Sequence, residues 1–274
     1  MNERSAKDRF EFGQNWQEYS ALVNEARIAE AKRRLAAMLQ TDDLAGRSFL
    51  DVGCGSGLHS LAALRMGAAR VVAIDLDPRS VETTRALLER FAPGHGAVVK
   101  EMSAFDLEGL PFGRFDIVYS WGVLHHTGDM ARALKAAAGC TKPGGLFAVA
   151  LYGKTRFCGM WKRIKRWYIN ASPDRQARAE RTYVRLFGAY LLLRGKRLAT
   201  HIENYNRKRG MDFHHDVRDW IGGYPYESIA PDELVALLEP LGFEIVWKKT
   251  KRRSGLFGSG NDEYLLRCAG SSPS

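Results

Sequence analysis

The sequence has few cysteines, no long apolar run and no cluster of metal-ligating residues, and each absence excludes a class of protein. Its four cysteines form no CxxC pair and lie near no histidine at metal-ligand spacing: Cys54, Cys140, Cys158 and Cys268. We expect reduced, mostly buried thiols and no metal site. No segment approaches the roughly 18 apolar residues of a membrane-spanning helix. The charged start, MNERSAKDRF, lacks the apolar core of a signal peptide, which predicts a cytoplasmic location.

Positive charge is concentrated in one part of the chain. The 274 residues carry a net charge of +10, but residues 153–210 alone contain 16 Lys/Arg against 3 Asp/Glu. The remaining residues contain 25 Lys/Arg and 28 Asp/Glu. The net positive charge of the chain therefore comes from residues 153–210, and its role must be sought in that segment.

Strand and helix patterns alternate through the first half of the chain. After one or two helices within residues 17–40, apolar runs predict strands at 48–53, 71–75, 97–102, 115–120 and 146–152, the last introduced by the turn KPGG at 142–145. Helical patterns follow the first, second and fourth strands. This alternation predicts a parallel sheet covered on both faces, and right-handed crossovers then give a doubly wound α/β fold. Near the end, a helix from Pro231 and strands at 243–249 and 263–268 predict an antiparallel pair.

Three alternate glycines follow the first predicted strand, in LDVGCGSG. Gly53, Gly55 and Gly57 allow positive φ and close approach of the backbone to a ligand. A dinucleotide-binding turn has the order GxGxxG, whereas this one is GxGxG, with Asp51 two residues before the first glycine. A carboxylate in that position repels phosphate and can hold an ammonium group. The pattern favours a cationic amino-acid cofactor over NAD.

A second carboxylate, Asp75, ends the next predicted strand. A carboxylate there can accept hydrogen bonds from both hydroxyls of a ribose. NAD and S-adenosylmethionine both contain a ribose, so this residue alone leaves both cofactors open.

Four motifs taken together resemble the class I S-adenosylmethionine-dependent methyltransferases: LDVGCGSG, AIDLDP, FDIVYSWGVLHHT and KPGGLFAVALY. The resemblance covers residues 45–152 and, more weakly, 231–268. It implies a Rossmann-like, doubly wound, seven-stranded and mostly parallel sheet whose last strand runs antiparallel. It also implies S-adenosyl-L-methionine as the cofactor.

The family pattern assigns parts of the cofactor to particular residues. It implies that Asp51 and the glycine turn face the methionine part, and that Asp75, with the adjoining Leu76, holds the ribose. Ser120 and Trp121, at the end of the fourth strand, should line the methionine side. The candidates in the turn itself are Gly53, Cys54, Gly55, Ser56 and Gly57.

The adenine contact is the least regular part of the resemblance. An acidic residue after the third strand usually holds the adenine amino group, and Asp106 is the candidate. The local sequence SAFDLEGLPF departs from the family's common Gly-Asp-Ala form. Ser103 and Ala104 are therefore alternative candidates, through their backbone groups.

These patterns divide the chain into four parts. Residues 1–44 form an N-terminal helical segment or lid, and residues 45–152 form the cofactor-binding core. Residues 153–230 form a basic helical insertion with an acceptor-site loop. Residues 231–274 supply a helix and the antiparallel strand pair that complete the core.

Histidines supply the candidates for a catalytic base. Methyl transfer from a sulfonium is an in-line displacement, so the enzyme mainly aligns the acceptor atom with the methyl carbon, and an alcohol or phenol also needs a base. His126, beside His125, follows the fourth strand, and its alternative role is packing or loop ordering. His214 and His215 lie in MDFHHDVRDWIGGYPYE (211–227), for which the alternative is an ordered loop with surface histidines.

Two further segments have more than one interpretation. FEFGQNWQEY (10–19) either folds over the cofactor as a lid or contributes Trp16 and Tyr19 to helix packing. TRFCGMWKRIKRWYI (155–169) reads as a basic amphipathic helix with an aromatic side, followed by a second helix at 176–193. Three interpretations of these two helices stay open: they close over the acceptor site, they lie on an anionic membrane surface, or they bind RNA phosphates.

The sequence therefore predicts a methyltransferase that uses S-adenosylmethionine to modify an oxygen or nitrogen of a small, glycan-type or lipid-like metabolite. The alternatives are an RNA methyltransferase that binds phosphates through the basic insertion, and a non-catalytic protein that binds the cofactor or a partner. The first interpretation allows contact with the inner face of the membrane. No metal is expected.

Overall fold

The computed structural model describes Phe10 and residues 12–209, 213–251 and 254–270. The chain forms two compact units. Of the described residues, the larger unit contains 12–154, 228–251 and 260–270, and the smaller contains Phe10 and residues 155–209, 213–227 and 254–259. The four-part division made from the sequence stays a prediction.

A seven-stranded sheet forms the centre of the larger unit. Its strands are β1 (Ser48–Val52), β2 (Arg70–Asp75), β3 (Val98–Glu101), β4 (Phe115–Trp121), β5 (Thr141–Tyr152), β6 (Phe243–Lys249) and β7 (Asn261–Cys268). They lie in the order β3-β2-β1-β4-β5-β7-β6. The first five pair in parallel, and β7 runs antiparallel to both β5 and β6. The predicted doubly wound sheet and its antiparallel closing pair are confirmed.

The helices begin where the sequence supplies start signals. In chain order they are α1 (Gly13–Ser20), α2 (Glu25–Leu39), α3 (Leu58–Arg65), α4 (Pro78–Phe91), α5 (Met130–Gly139), α6 (Cys158–Ile169), α7 (Pro173–Leu193), α8 (Leu198–Arg209), α9 (Phe213–Gly222) and α10 (Pro231–Leu238). The side chains of Asn24, Asp77 and Asp129 accept hydrogen bonds from the first turns of α2, α4 and α5.

Alternate residues of the strands build a core on each face of the sheet. Leu50 and Val72 pack with α5 and α10 on one face, and Phe49 and Val71 pack with α2 and α3 on the other. Successive strand side chains point to opposite faces, so a central strand covered on both sides is apolar throughout. Ser48 and Asp51 are the polar exceptions in β1, and both are buried.

The KPGG segment differs from its prediction. The sequence places a turn before the fifth strand, whereas the structure places residues 142–145 inside β5. They form a bulge between the pairs Phe115–Thr141 and Ile117–Leu146. A Cβ on Gly145 would lie 2.9 Å from the carbonyl oxygens of Asp116 and Lys142, so the bulge needs glycine there.

The smaller unit has an aromatic core of its own. Tyr168, Phe213, Val217 and Ile221 are buried in it, and the apolar sides of α6 and α7 pack against them. The loop at 254–259 belongs to the same unit. The apolar residues of α6 and α7 that contact this core are therefore used in the packing of the smaller unit.

Part of the segment 211–227 also differs from its prediction as a loop. Phe213–Gly222 is the helix α9, because Phe213, Val217 and Ile221 recur every four residues and form one buried stripe. The loop prediction is wrong for these residues. Among the described helices, none has the length and apolarity needed to cross a membrane.

Candidate active site

The glycine turn after β1 adopts a conformation that other residues rarely take. Gly53, Gly55 and Gly57 have φ values of +78°, +54° and +77°. A Cβ on Gly53 would lie 2.4 Å from Val123 Cγ1, and one on Gly57 would lie 3.0 Å from the Cα of Thr84. The outer glycines are therefore required by close packing as well as by the backbone.

Hydrogen bonds tie this turn to the end of β2. The amides of Gly53 and Cys54 both donate to the carbonyl of Ile74, at 2.8 and 3.0 Å. The amide of Gly55 donates to Asp75 Oδ2 at 2.9 Å. Thr84 Oγ1 lies 3.3 Å from Cys54 Sγ, so the Cys54 thiol is directed towards α4. The turn therefore holds a shape that lets a ligand approach its backbone.

Asp75 lies at the carboxyl end of β2. Its Oδ1 accepts from the amide of Asp77 at 2.9 Å, and its Oδ2 from that of Gly55. Burial raises the pKa of Asp75 to about 6. Each carboxylate oxygen has a second acceptor site, which suits the paired hydroxyls of a ribose.

Asp51 is a buried carboxylate on the neighbouring strand. Ser60 Oγ donates to its Oδ2 at 2.6 Å. Burial, with a smaller contribution from the charge of Asp75, raises the pKa of Asp51 to about 7. A nearby cation would favour the ionised form, whereas a phosphate would be repelled. The two carboxylates and the glycine turn thus fit S-adenosylmethionine, which contains an ammonium group, a sulfonium and a ribose.

The remaining cofactor candidates vary in burial and in local contacts. Ser103 and Asp106 cap the short 3-10 segment Ala104–Gly109: the Ser103 amide donates to Asp106 Oδ2 at 3.2 Å. Ser120 Oγ donates to the carbonyl of Val52 at 2.9 Å, which links β4 to β1. Ser56 is buried and Asp106 exposed, whereas the half-buried candidates are Leu76, Ser103, Ala104 and Trp121. Their cofactor contacts stay predictions.

Helix α1 packs against the glycine turn. The Gly13 amide donates to Asp77 Oδ2 at 2.9 Å, and a Cβ on Gly55 would lie 2.9 Å from Trp16 Cε2. The Trp16 indole therefore faces the backbone that the cofactor must approach. Sequence reasoning named Trp16 but missed the Gly13–Asp77 contact. The signal for Asp77 was present in the Asp-Pro start of α4.

Aromatic side chains and histidines cluster at the carboxyl ends of β4 and β5. His125 is buried, and its Nδ1 accepts from the Tyr152 amide at 3.3 Å. The His126 ring lies 5.3 Å from that of Tyr152 and 5.1 Å from that of Phe12. Asn261 begins β7 opposite Tyr152. Sequence reasoning missed Phe12 and Tyr152, which meet His126 only in the folded chain, and Asn261, which pairs with Tyr152.

The other candidate bases belong to the smaller unit. His214 is exposed on α9, and the side chain of His215 lies outside the described residues. Their catalytic roles stay predictions. Across the described ranges, no group of three or more His, Cys, Asp or Glu is arranged to hold a metal ion.

Gly55→Ala is expected to weaken binding of S-adenosylmethionine at least about tenfold, since the added methyl group meets Trp16 and occupies the face that the cofactor approaches. Gly46→Ala is the matched control: Gly46 also has a positive φ, of +72°, but a Cβ there meets nothing within 4 Å. Calorimetric titration measures both affinities. Equal affinities in the two variants would contradict this role of the Gly55 face.

Comparisons with known proteins agree with this geometry. Residues 50–149 match the family model described as a methyltransferase domain. The ubiquinone biosynthesis O-methyltransferase of Xanthomonas euvesicatoria pv. vesicatoria is 37% identical over 113 residues, 41% of this chain and 46% of that protein. The ribosomal protein L11 methyltransferase of Tolumonas auensis is 29% identical over 140 residues, 50% of this chain and 45% of that protein.

A solved structure shares the fold over most of both chains. The magnesium protoporphyrin IX methyltransferase of Synechocystis PCC 6803, solved with bound S-adenosylhomocysteine, is 14% identical, with a TM-score of 0.54, and the match covers 90% of this chain and 89% of that one. The matches to the curated relatives span less than half of their length. The matched methyltransferase domain covers residues 50–149, and the strand order and the carboxylates beside the glycine turn agree with a class I S-adenosylmethionine-dependent methyltransferase.

Proposed function

We propose that this protein transfers the methyl group of S-adenosylmethionine to an oxygen or nitrogen of a small, glycan-type or lipid-like metabolite. The observation that carries this proposal is that two different groups of residues meet at one edge of the sheet. The carboxylates Asp51 and Asp75 suit the cofactor. The rings of Tyr152 and His126 suit an acceptor beside it.

The cofactor supplies an activated methyl carbon, and the residues of the chain hold and orient it. With the cofactor bound, Asp75 would accept hydrogen bonds from the ribose hydroxyls, and Asp51 would hold the positively charged methionine part. The glycine turn lets the cofactor approach β1 closely. Because the sulfonium is already a good leaving group, alignment accounts for most of the catalysis.

The acceptor side combines flat apolar surface with one half-buried imidazole. Tyr152 and Phe12 present rings to His126. His125 is held by the Tyr152 amide, which fixes the turn that carries His126. As the acceptor oxygen or nitrogen bonds to the methyl carbon, the carbon–sulfur bond breaks and His126 takes the acceptor's proton.

The relatives support this proposal only in part. One is named as an O-methyltransferase of ubiquinone biosynthesis, which agrees with transfer to oxygen on a lipid-like molecule. Another is named for a ribosomal protein. Their similarity covers half of this chain or less, so the choice of acceptor rests on the ring cluster.

His126→Ala is expected to lower turnover about 100-fold and to leave affinity for S-adenosylmethionine nearly unchanged, because the imidazole removes a proton and holds no part of the cofactor. Methyl-labelled cofactor and fractionated small-molecule and lipid extracts identify the acceptor first. His214→Ala and His215→Ala are assayed in parallel as the competing bases.

The pH profile distinguishes a base from a packing residue. If His126 is the base, protonation of its imidazole removes the base, so the wild-type rate falls towards acid pH and the variant lacks this limb. A full rate in His126→Ala would exclude it as the base. Tight cofactor binding without turnover on any fraction would favour the non-catalytic alternative.

A further inference from the structure

The end of α7 carries leucines that the fold leaves exposed. Leu186, Leu192 and Leu193 are 58%, 69% and 89% exposed. Gly188 and Leu191 of the same helix are buried, so one side of α7 packs inward and these leucines lie on the other. Leucines exposed to this degree at neighbouring positions indicate a contact surface.

Cations surround these leucines. Arg194, Lys196 and Arg197 follow Leu193 closely and are exposed, as is Arg185, which directly precedes Leu186. The sequence has no Asp or Glu between Arg181 and Ile202. We call the segment Leu192–Arg197 the α7 tip: it combines apolar side chains with unbroken positive charge.

The α7 tip differs from the surface that the sequence suggested for membrane contact. That surface was the aromatic side of the two insertion helices. In the structure, Tyr183 and Phe187 pack into the core of the smaller unit, and Tyr183 Oη donates to the carbonyl of Phe257 at 2.8 Å. The aromatic side is therefore mostly engaged, with Trp167 of α6 the exception at 47% exposed, and the exposed leucines lie elsewhere, on α7.

We propose that the α7 tip docks on an anionic phospholipid bilayer. Leu192 and Leu193 enter the boundary between head groups and acyl chains, while Arg194, Lys196 and Arg197 pair with the anionic head groups. Such a surface complements both the apolar and the cationic side chains. RNA phosphates would match only the cations, and a second copy of the tip would bring like charges together. This proposal is independent of the methyl acceptor.

Vesicle flotation with the full chain tests it. Binding is expected to vesicles of phosphatidylcholine mixed with phosphatidylglycerol and not to phosphatidylcholine alone, and to weaken at high salt. Leu192→Ser with Leu193→Ser should lower partitioning about tenfold or more. Replacing Arg194, Lys196 and Arg197 together by glutamate should lower partitioning to the vesicles about 100-fold, because each cation contributes about fivefold or more. Leu241→Ser is the matched control, since Leu241 is 46% exposed in the larger unit.

The alternatives give different results. Equal binding to neutral vesicles, or no binding to either kind, would overturn the proposal. Vesicle binding that survives the serine variant would also overturn it, because the leucines would then have no part. Salt-sensitive binding of poly(U) without vesicle binding would assign the tip to RNA. A dimer in sedimentation velocity that the serine variant dissociates would assign it to self-association. Circular dichroism confirms that each variant is folded.

Discussion

Asp75→Ala is expected to weaken binding of S-adenosylmethionine at least about 100-fold. Hydrogen bonds to a charged acceptor are worth about 1.5–3 kcal/mol each, and the cofactor ribose offers two donors. The variant also releases the Gly55 and Asp77 amides, which Asp75 accepts in the structure. It therefore removes the ribose contact and loosens the glycine turn in one change. Calorimetric titration of the ligand-free protein measures the loss.

Two controls separate these effects of Asp75. Asp75→Asn keeps an acceptor oxygen but loses the charge, so its affinity should lie between those of the wild type and Asp75→Ala. Asp77→Asn should weaken binding much less than Asp75→Ala, because its amide oxygen still caps α4, although its NH2 group can no longer accept from the Gly13 amide. Wild-type affinity in Asp75→Ala would refute the ribose assignment.

The pH dependence follows from the position of this carboxylate. Burial raises the pKa of Asp75 to about 6, so the carboxylate is ionised at pH 8 and takes up a proton as the pH falls through 6. A protonated carboxyl is a poorer acceptor for hydroxyls. Cofactor affinity is therefore expected to fall between pH 8 and pH 5 in the wild type and to change less in Asp75→Asn.

The sequence predicts the sheet of the larger unit well, because its signals are local. Each central strand is a short apolar run, and the start of α4 is indicated by two consecutive residues, Asp77 and Pro78. The glycine turn carries its own signal, since positive φ values favour glycine. The antiparallel pair β6–β7 could be predicted in the same way. The KPGG bulge could not, because its position depends on pairing with β4, which is distant in the sequence.

The candidate site was harder to predict because several of its contacts join distant segments. Trp16 precedes Gly55 by 39 residues, and Tyr152 follows His126 by 26. Nothing local in the sequence indicates that either pair meets. Likewise, α9 was predicted to be a loop because its polar residues are prominent in the sequence. Its apolar stripe is buried only because the rest of the smaller unit packs against it. Such contacts are properties of the fold.

Asp51→Asn is expected to stabilise the ligand-free protein at pH 8 while it weakens cofactor binding. Asp51 is buried beside Asp75, and burial raises its pKa from 3.8 to about 7. Between these values the folded protein keeps a proton that the unfolded chain has released, so stability falls as the pH rises from 4 to 7. Above pH 7 the full cost of about 4 kcal/mol is present. Asparagine has no such cost, and Ser60 Oγ can still donate to its amide oxygen.

Thermal unfolding at two pH values tests this explanation. The melting temperature of Asp51→Asn should exceed that of the wild type by about 5 °C or more at pH 8, and by little at pH 4.5. A difference that is the same at both pH values would show that Asp51 ionisation is not its cause. Added S-adenosylmethionine should reverse the order at pH 8, because its positive charge compensates the ionised carboxylate of the wild type only. A buried carboxylate that destabilises the empty protein is thus explained by the cation it binds.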